Sequence, residues 1–425
     1  MLEKILNSRN MERALRAVER NQGCGGIDEM QSEELRPFVN ANREILVTRI
    51  MEGNYEPSPV RKVEIPKAQG GVRKLGIPTV IDRMLQQAIH LVLSPVYEEI
   101  FDKHSYGFRP GKNAHQAVLT AQGYLNAGYT WIIELDLEKF FDKVNHQKLM
   151  YLLSQKVKDK RTLLLINAYL RSGIMEGGLV SQHIEGTPQG SPLSPLLSNV
   201  MLHELDKELN KRGHKFVRYA DDCSIYVRSE KSAKRVAESI IKYIEGELLL
   251  KVNREKTKIS RPQKSQLLGF SFYKIKGGYE IRIGKKSLTR IKAKCKAITR
   301  SSDPASETSK LTKLDETIRG WVNYFRLANA RSNMERLDEM VRTRLRIMTW
   351  RRWKRIRTKV FNLAKLGLTQ TQAYMWGNTS KKACRIAHSP ILMQTLHIKY
   401  WRKAGYVGFY NYYSAWHTIG CPSLF

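Results

Sequence analysis

Two rhythms of apolar positions run along this chain. Leu2, Ile5 and Leu6, followed by Ala14, Leu15 and Val18, recur at helical spacing and predict an N-terminal amphipathic helix. The cluster Gly23-Cys24-Gly25-Gly26 interrupts it, and a second helix is expected to run to about Met51. Residues 65–78 read as a hairpin whose Gln-Gly-Gly tip carries cations on both flanks. Thr79 and Asp82 form a capping-box pattern at the head of a helix that reaches about Phe101. The period then shortens to strand-like runs, at Trp131-Ile132-Ile133 and at residues 216–219 and 223–227 on either side of an acidic pair. Helical spacing returns with Ala233, Val236, Ile240, Ile244 and Leu248, and Lys276-Gly277-Gly278 marks a last hairpin. Ser301-Ser302-Asp303-Pro304 breaks the helical C-terminal part. The pattern predicts an α+β protein with helices gathered on a small antiparallel sheet. Its apolar stripes are core, and no internal repeat stands out.

Composition narrows the partners. With 425 residues and 42% hydrophobic content, the chain has length for two to four domains with a substantial core. Its formal charge of +33 points to an extended polyanion, because lysines and arginines that neutralise phosphates release condensed counterions. Residues 281–425 hold 30 Lys+Arg against 7 Asp+Glu, and no acid follows residue 340. There, Arg342, Arg344 and Arg346, then Trp350-Arg351-Arg352-Trp353-Lys354-Arg355-Ile356-Arg357, mix cations with indoles, as phosphate contact and base stacking require. Helical amphipathy, with Leu345, Met348 and Trp353 facing a core, accounts for the same pattern. The aromatic stretch 400–417 suits either a small nucleic-acid module or an aromatic core. No apolar run approaches the roughly 18 residues of a spanning helix, so no membrane partner is expected. The N-terminus lacks the pattern of a signal peptide, and a cytoplasmic location is the expectation. Cys24, Cys223, Cys295, Cys384 and Cys421 form no C-x-x-C pair, which argues against structural zinc.

The candidate chemistry lies in the acids. Tyr219-Ala220-Asp221-Asp222 sits between two strand-like runs, and Trp131-Ile132-Ile133 leads into Asp136. Three carboxylates at strand ends can hold two magnesium ions about 3.5–4 Å apart, which clamp the attacking and leaving oxygens of a phosphoryl displacement. Taken alone, the Asp pair is better explained by an ordinary hairpin turn than by a metal site. Between the acids, Gly186-Thr187-Pro188-Gln189-Gly190-Ser191-Pro192 opens a long apolar helix with residues that permit close backbone approach. A structural loop explains the glycines and prolines but leaves Gln189 without a task. Lys67 and Arg73, on the cationic hairpin, suit a triphosphate, although a solvated hairpin has the same composition.

Taken in order, these segments resemble a bacterial group II intron reverse transcriptase, also called a maturase or intron-encoded protein. The resemblance covers residues 65–78, His104-Ser105-Tyr106-Gly107-Phe108-Arg109-Pro110, residues 134–142, 186–199 and 219–222, Val252-Asn253-Arg254-Glu255-Lys256-Thr257, Leu268-Gly269-Phe270, and Arg319-Gly320-Trp321-Val322-Asn323-Tyr324-Phe325. It implies a right-hand polymerase with fingers, a palm holding a small antiparallel sheet, an α-helical thumb and a small basic C-terminal domain. The implied boundaries are 1–90 for the N-terminal extension and fingers, 91–283 for the palm with remaining fingers elements, 284–360 for the thumb or maturase domain, and 361–425 for a DNA-binding domain. The resemblance further implies that Asp136, Asp221 and Asp222 surround two Mg²⁺ ions. Lys256, with Lys258 as alternative, would protonate the leaving pyrophosphate. Lys67, Arg73, the backbone at Leu137 and Gln189 would bind the deoxynucleoside triphosphate. Phe141, with Phe140 as rival, would be the ring that excludes a 2′-hydroxyl. Arg109, Gly269, Arg342, Arg344, Arg351, Arg352, Lys354 and Arg355 would meet nucleic acid. Ser191 stands where many relatives have a second glycine.

The implied partners are group II intron RNA, an RNA template with DNA primer, target DNA and deoxynucleotides, in a bacterial, nucleoid-associated setting. The resemblance is to short forms that lack the endonuclease domain. Two other readings share these residues: a non-catalytic RNA-binding splicing factor, and the reverse transcriptase of a retron, diversity-generating element or defence system.

Overall fold

A computed structural model describes residues 1–66, 72–176, 179–181 and 185–419. The chain forms two compact units, Met1–Ser265 and Gln266–Phe425. The division falls ahead of the last hairpin, which the expected boundaries had ended the palm with.

In the first unit, the single N-terminal helix expected from periodicity is two, Leu2–Leu6 and Ser8–Asn21. Asn7 separates them, because its side chain accepts from the Arg9 N–H at 3.0 Å and caps the second. A further helix spans Leu35–Met51. The cationic hairpin is β1 (Val60–Pro66) and β2 (Val72–Ile77), and its tip lies outside the described residues. Thr79 caps the helix Val80–Glu98: its Oγ1 accepts from the Asp82 N–H at 3.2 Å and donates to Asp82 Oδ2 at 2.8 Å. Further strands are β3 (Trp131–Leu135), β4 (Ile174–Glu176), β5 (Leu179–Ser181), β6 (Lys215–Tyr219), β7 (Asp222–Val227) and β8 (Lys258–Ser260). They make two four-stranded sheets, ordered β2-β1-β4-β5 and β6-β7-β3-β8. The second sheet is antiparallel throughout. Ile133, Phe216 and Ile225 are fully buried, and the helices Ser194–Lys211 and Glu230–Gly246 bring Met201, Leu205, Ile240 and Ile244 to the same core.

The second unit opens with the hairpin β9 (Phe270–Ile275) and β10 (Gly278–Ile283). The helices Lys285–Ile298 and Glu307–Phe325 flank the expected break at residues 301–304, and the helix Arg331–Arg352 follows. Six shorter helices complete the unit. The aromatic stretch 400–417 is chiefly core: Trp401, Tyr406, Phe409, Tyr412 and Tyr413 are buried. Aromatic rings remove more apolar area from water than other side chains, so few are needed to close so small a region. Buried Asp338 ties this tail down by accepting from Tyr406 Oη at 2.6 Å and from the backbone N–H groups of Phe409 at 2.7 Å and Tyr410 at 2.9 Å. Trp350 is the indole that joins the core, while Trp353, expected there, is only half-buried. Among the described residues, no helix is long and apolar enough to cross a membrane.

Candidate active site

Strand pairing sets the three acids at one end of the sheet. β6 and β7 pair up to Tyr219 with Asp222, which leaves Ala220 and Asp221 as a two-residue turn. β3 pairs with β7 up to Leu135 with Cys223, so Asp136, the residue after β3, lies at the same end of the sheet as Asp222, the first residue of β7. Asp136 and Asp221 both line a cleft of about 1810 Å³ in this unit. Although Asp222 keeps an exposed edge, its carboxyl is pushed up to about 6, first by desolvation against the sheet and then by repulsion from Asp221, Asp136 and Glu134. The segment after residue 250 runs alongside Asp136 and holds it. The Asp136 N–H donates to Thr257 Oγ1 at 3.3 Å, and its carbonyl accepts from the Asn253 N–H at 2.8 Å. Lys256 Nζ lies 3.7 Å from Asp136 Oδ2, whereas Lys258 is an exposed member of β8 paired with Glu134.

The cleft wall is made by loops that stack on these strands. Gly186 has φ +95°, and a Cβ there would meet the Phe141 and Asp142 backbone at 2.9 Å. The Thr187 N–H donates to the Phe141 carbonyl at 2.6 Å, so the glycine-proline loop rests directly on the segment after Asp136. The Gln189 carbonyl accepts from the Gly76 N–H at 2.8 Å and ties that loop to the base of the cationic hairpin. Gln189, Phe141, Leu137, Lys256 and Lys74 line the same cleft as the acids. Leu137 has its side chain buried, so its backbone is what it can offer a ligand. Phe140 is packed into the core, and Phe141 stands half-buried beside it with ring centroids 5.2 Å apart. The Ser191 hydroxyl bonds Gln86 Oε1 in the interior, a partner that glycine would lack.

Residues 65–272 match the family described as reverse transcriptase (RNA-dependent DNA polymerase), and residues 288–366 match the group II intron maturase-specific domain. Over 272 residues the chain is 33% identical to Protein YkfC of Escherichia coli, covering 55% of this chain and 71% of that one. The chain belongs to the group II intron reverse transcriptase family. It is also 36% identical over 210 residues to the group II intron-encoded protein LtrA of Lactococcus lactis, covering 49% of this chain and 35% of LtrA. A 91 kDa protein in the cob intron of Schizosaccharomyces pombe is 39% identical over 163 residues, which are 38% of this chain and 20% of that protein. The chain therefore matches about a third or less of the length of these last two relatives.

Reverse transcriptases use divalent metal ions, and the donor set fits that need. The acids at the end of β3 and β7 offer only oxygen, the donor a hard cation takes, and their mutual repulsion at Asp222 is what a bound cation would relieve. Among the described residues no three His, Cys, Asp or Glu side chains converge as a ready-made metal cage, and Asp136 instead faces Lys256. Lys67 and the Arg73 side chain lie outside the described residues.

Arg109 is a correction. Its side chain is 4% exposed, donates to Glu98 at 2.8–3.1 Å and to the Asp102 and Ser105 carbonyls, and braces a loop in the interior where no phosphate can reach it. Gly269 has φ +82°, and a Cβ there would lie 2.9 Å from Ser287 Oγ and 3.3 Å from Phe325. In the helix Arg331–Arg352, Arg342 and Arg344 are half-buried, and Arg344 donates to Thr299 Oγ1 at 3.3 Å. Arg346 is buried against the Leu396 and Ala387 carbonyls. Arg351, Arg352, Lys354 and Arg355 are exposed, with Arg351 on Ser301 Oγ at 2.7 Å and Arg352 on Glu307 at 3.3 Å. Asn253 and Thr257 belong to the motif that carries Lys256, but their hold on Asp136 is not legible in sequence because both act on the backbone of a residue more than a hundred positions away.

Proposed function

We propose that this chain is an RNA-directed DNA polymerase of a group II intron, which extends a DNA primer on an RNA template and also binds its intron RNA to assist splicing and mobility by target-primed reverse transcription. The observation that carries this reading is the position of Asp136, just past β3, and Asp222, at the start of β7, at one end of the sheet, with Asp136 and the turn residue Asp221 on a cleft that also holds Phe141, Gln189 and Lys256. Asp136, Asp221 and Asp222 would hold two Mg²⁺ ions, whose chemistry when bound is to activate the primer 3′-hydroxyl and stabilise the charge on the leaving pyrophosphate. The chain's own groups position and neutralise. Lys67, Arg73 and the backbone at Leu137 bind the triphosphate, and Gln189 lines the nucleotide pocket. The Phe141 ring fills the space a 2′-hydroxyl would need. The 3′-oxygen bonds the alpha phosphorus as the bond to pyrophosphate breaks, and Lys256 is placed to give the leaving group its proton.

Primer extension on an RNA template tests this reading. Asp221→Ala is expected to lower the rate at least about a hundredfold, as loss of one electrostatic stabiliser does, while intron RNA binding persists. Inactive wild-type protein that still binds intron RNA would favour a splicing factor that has lost polymerisation. Polymerisation with no preference for intron RNA would favour a retron, diversity-generating or defence enzyme.

A further inference from the structure

Behind the catalytic turn lies a fully buried ion pair that the proposed chemistry does not use. Arg218, on β6, donates from Nε to Asp206 Oδ1 at 2.7 Å and from Nη2 to Asp206 Oδ2, and both side chains are 0% exposed. Its Nη1 donates to Asn199 Oδ1 at 2.9 Å and to the Ala220 carbonyl at 3.0 Å. Asn199 Nδ2 in turn donates to the Gly107 carbonyl at 2.9 Å. Ala220 has φ +57°, a left-handed conformation that an L-residue with a Cβ resists. Gly107 closes the other side: a Cβ there would stand 2.2 Å from the Ala220 nitrogen.

A buried ion pair is weak evidence for stability, since an apolar pair of the same volume often serves as well, so its value lies in what it holds in place. From this geometry we infer that Arg218, fixed by Asp206 and Asn199, is a positioning residue that keeps Ala220 left-handed and so aims Asp221 into the cleft. The planar fork of arginine reaches three partners at once, which a lysine ammonium in the same space does not. This inference rests on the proposed role of Asp221 as a metal ligand.

The test uses the whole chain with three variants, Arg218→Lys, the double variant Arg218→Met with Asp206→Leu, and Asn199→Ala. Amide hydrogen exchange across residues 219–223 and Mn²⁺ binding by electron paramagnetic resonance are read beside primer extension. For the double variant, a retained melting transition is expected together with exchange at least tenfold faster in the turn, Mn²⁺ binding at least tenfold weaker, and a kcat at least tenfold lower with dNTP KM within threefold. Arg218→Lys should show the same direction. A folded double variant with unaltered exchange and Mn²⁺ binding overturns the inference. If that variant does not fold, Asn199→Ala decides: faster exchange at residues 219–223 supports the clamp and unaltered exchange overturns it. Wild-type protein that does not polymerise would defeat the functional reading, whereas the exchange measurement would still decide whether the clamp holds the turn.

Discussion

Phe140 and Phe141 are adjacent, equally apolar and differently placed. Both line the cleft, but Phe140 is buried in the core that also holds Leu149 and Val144, and Phe141 is only half-buried. Truncating each should therefore have opposite consequences. Phe140→Ala is expected to cost about 3–5 kcal/mol of stability through the cavity it leaves, read as a lowered urea midpoint. Phe141→Ala is expected to raise ribonucleotide incorporation relative to deoxynucleotide at least about tenfold, the equivalent of about 1.4 kcal/mol of lost discrimination, with deoxynucleotide addition still measurable. Unchanged discrimination would remove Phe141 from the sugar-facing position. The family resemblance favoured Phe141 with Phe140 as rival, and local pattern could not separate them further, because a one-residue shift of register reverses which one points inward.

The loop after the helix Val80–Glu98 is a more extended device. Asp102 accepts from the His104 N–H at 2.7 Å and from Asn210 Nδ2, on the helix Ser194–Lys211, while Arg109 closes the loop on Glu98. Burial pushes the Asp102 carboxyl up, but the His104 and Asn210 hydrogen bonds prevail and hold it at about 2. The unfolded carboxyl, near 3.9, binds protons that the folded one does not. Its contribution, about 1–2 kcal/mol, is thus present above about pH 4 and lost as pH falls towards 2. Asp102→Asn is expected to lower the urea midpoint at neutral pH and to flatten its acid limb, the two proteins converging near pH 2. Parallel midpoint curves would contradict this account. The motif that contains this loop is legible in sequence, but its role is not: Arg109 reads as a phosphate ligand until Glu98, eleven residues earlier, is found beside it.

Across the chain, the excess of cations in residues 281–425 is unmistakable from composition, yet composition does not say which of them remain free for a polyanion. Arg346 is buried and Arg344 is engaged with Thr299, while Arg351, Arg352, Lys354 and Arg355 keep exposed side chains. The maturase-specific domain, which implies intron RNA binding, spans all of them. Reversing Arg351 and Arg352 together to Glu is expected to weaken intron RNA binding at least about tenfold and to reduce the dependence of log K on log salt by about 1–2, near 0.7–0.9 for each phosphate contact removed. The Glu307 contact of Arg352 is lost as well, so the melting transition is followed in parallel. A full salt dependence in the folded variant would place the RNA elsewhere.

By itself, the sequence determined the two outer hairpins, the strands around the acids, the helices with plain apolar periodicity, the glycine-proline loop and the family, since periodicity, capping and turn chemistry act over a few neighbouring residues. It overran only where a side chain intervened, as Asn7 does in splitting the first helix. Tertiary structure alone decided that Asp136 emerges beside Asp222, that Arg218 bonds the Ala220 carbonyl in the turn between β6 and β7 from within, that Arg109 is internal, and that the aromatic tail is core. Each of these depends on desolvation and pairing between segments far apart along the chain, and a charged or aromatic residue has the same letter whether packing has buried it or left it in water.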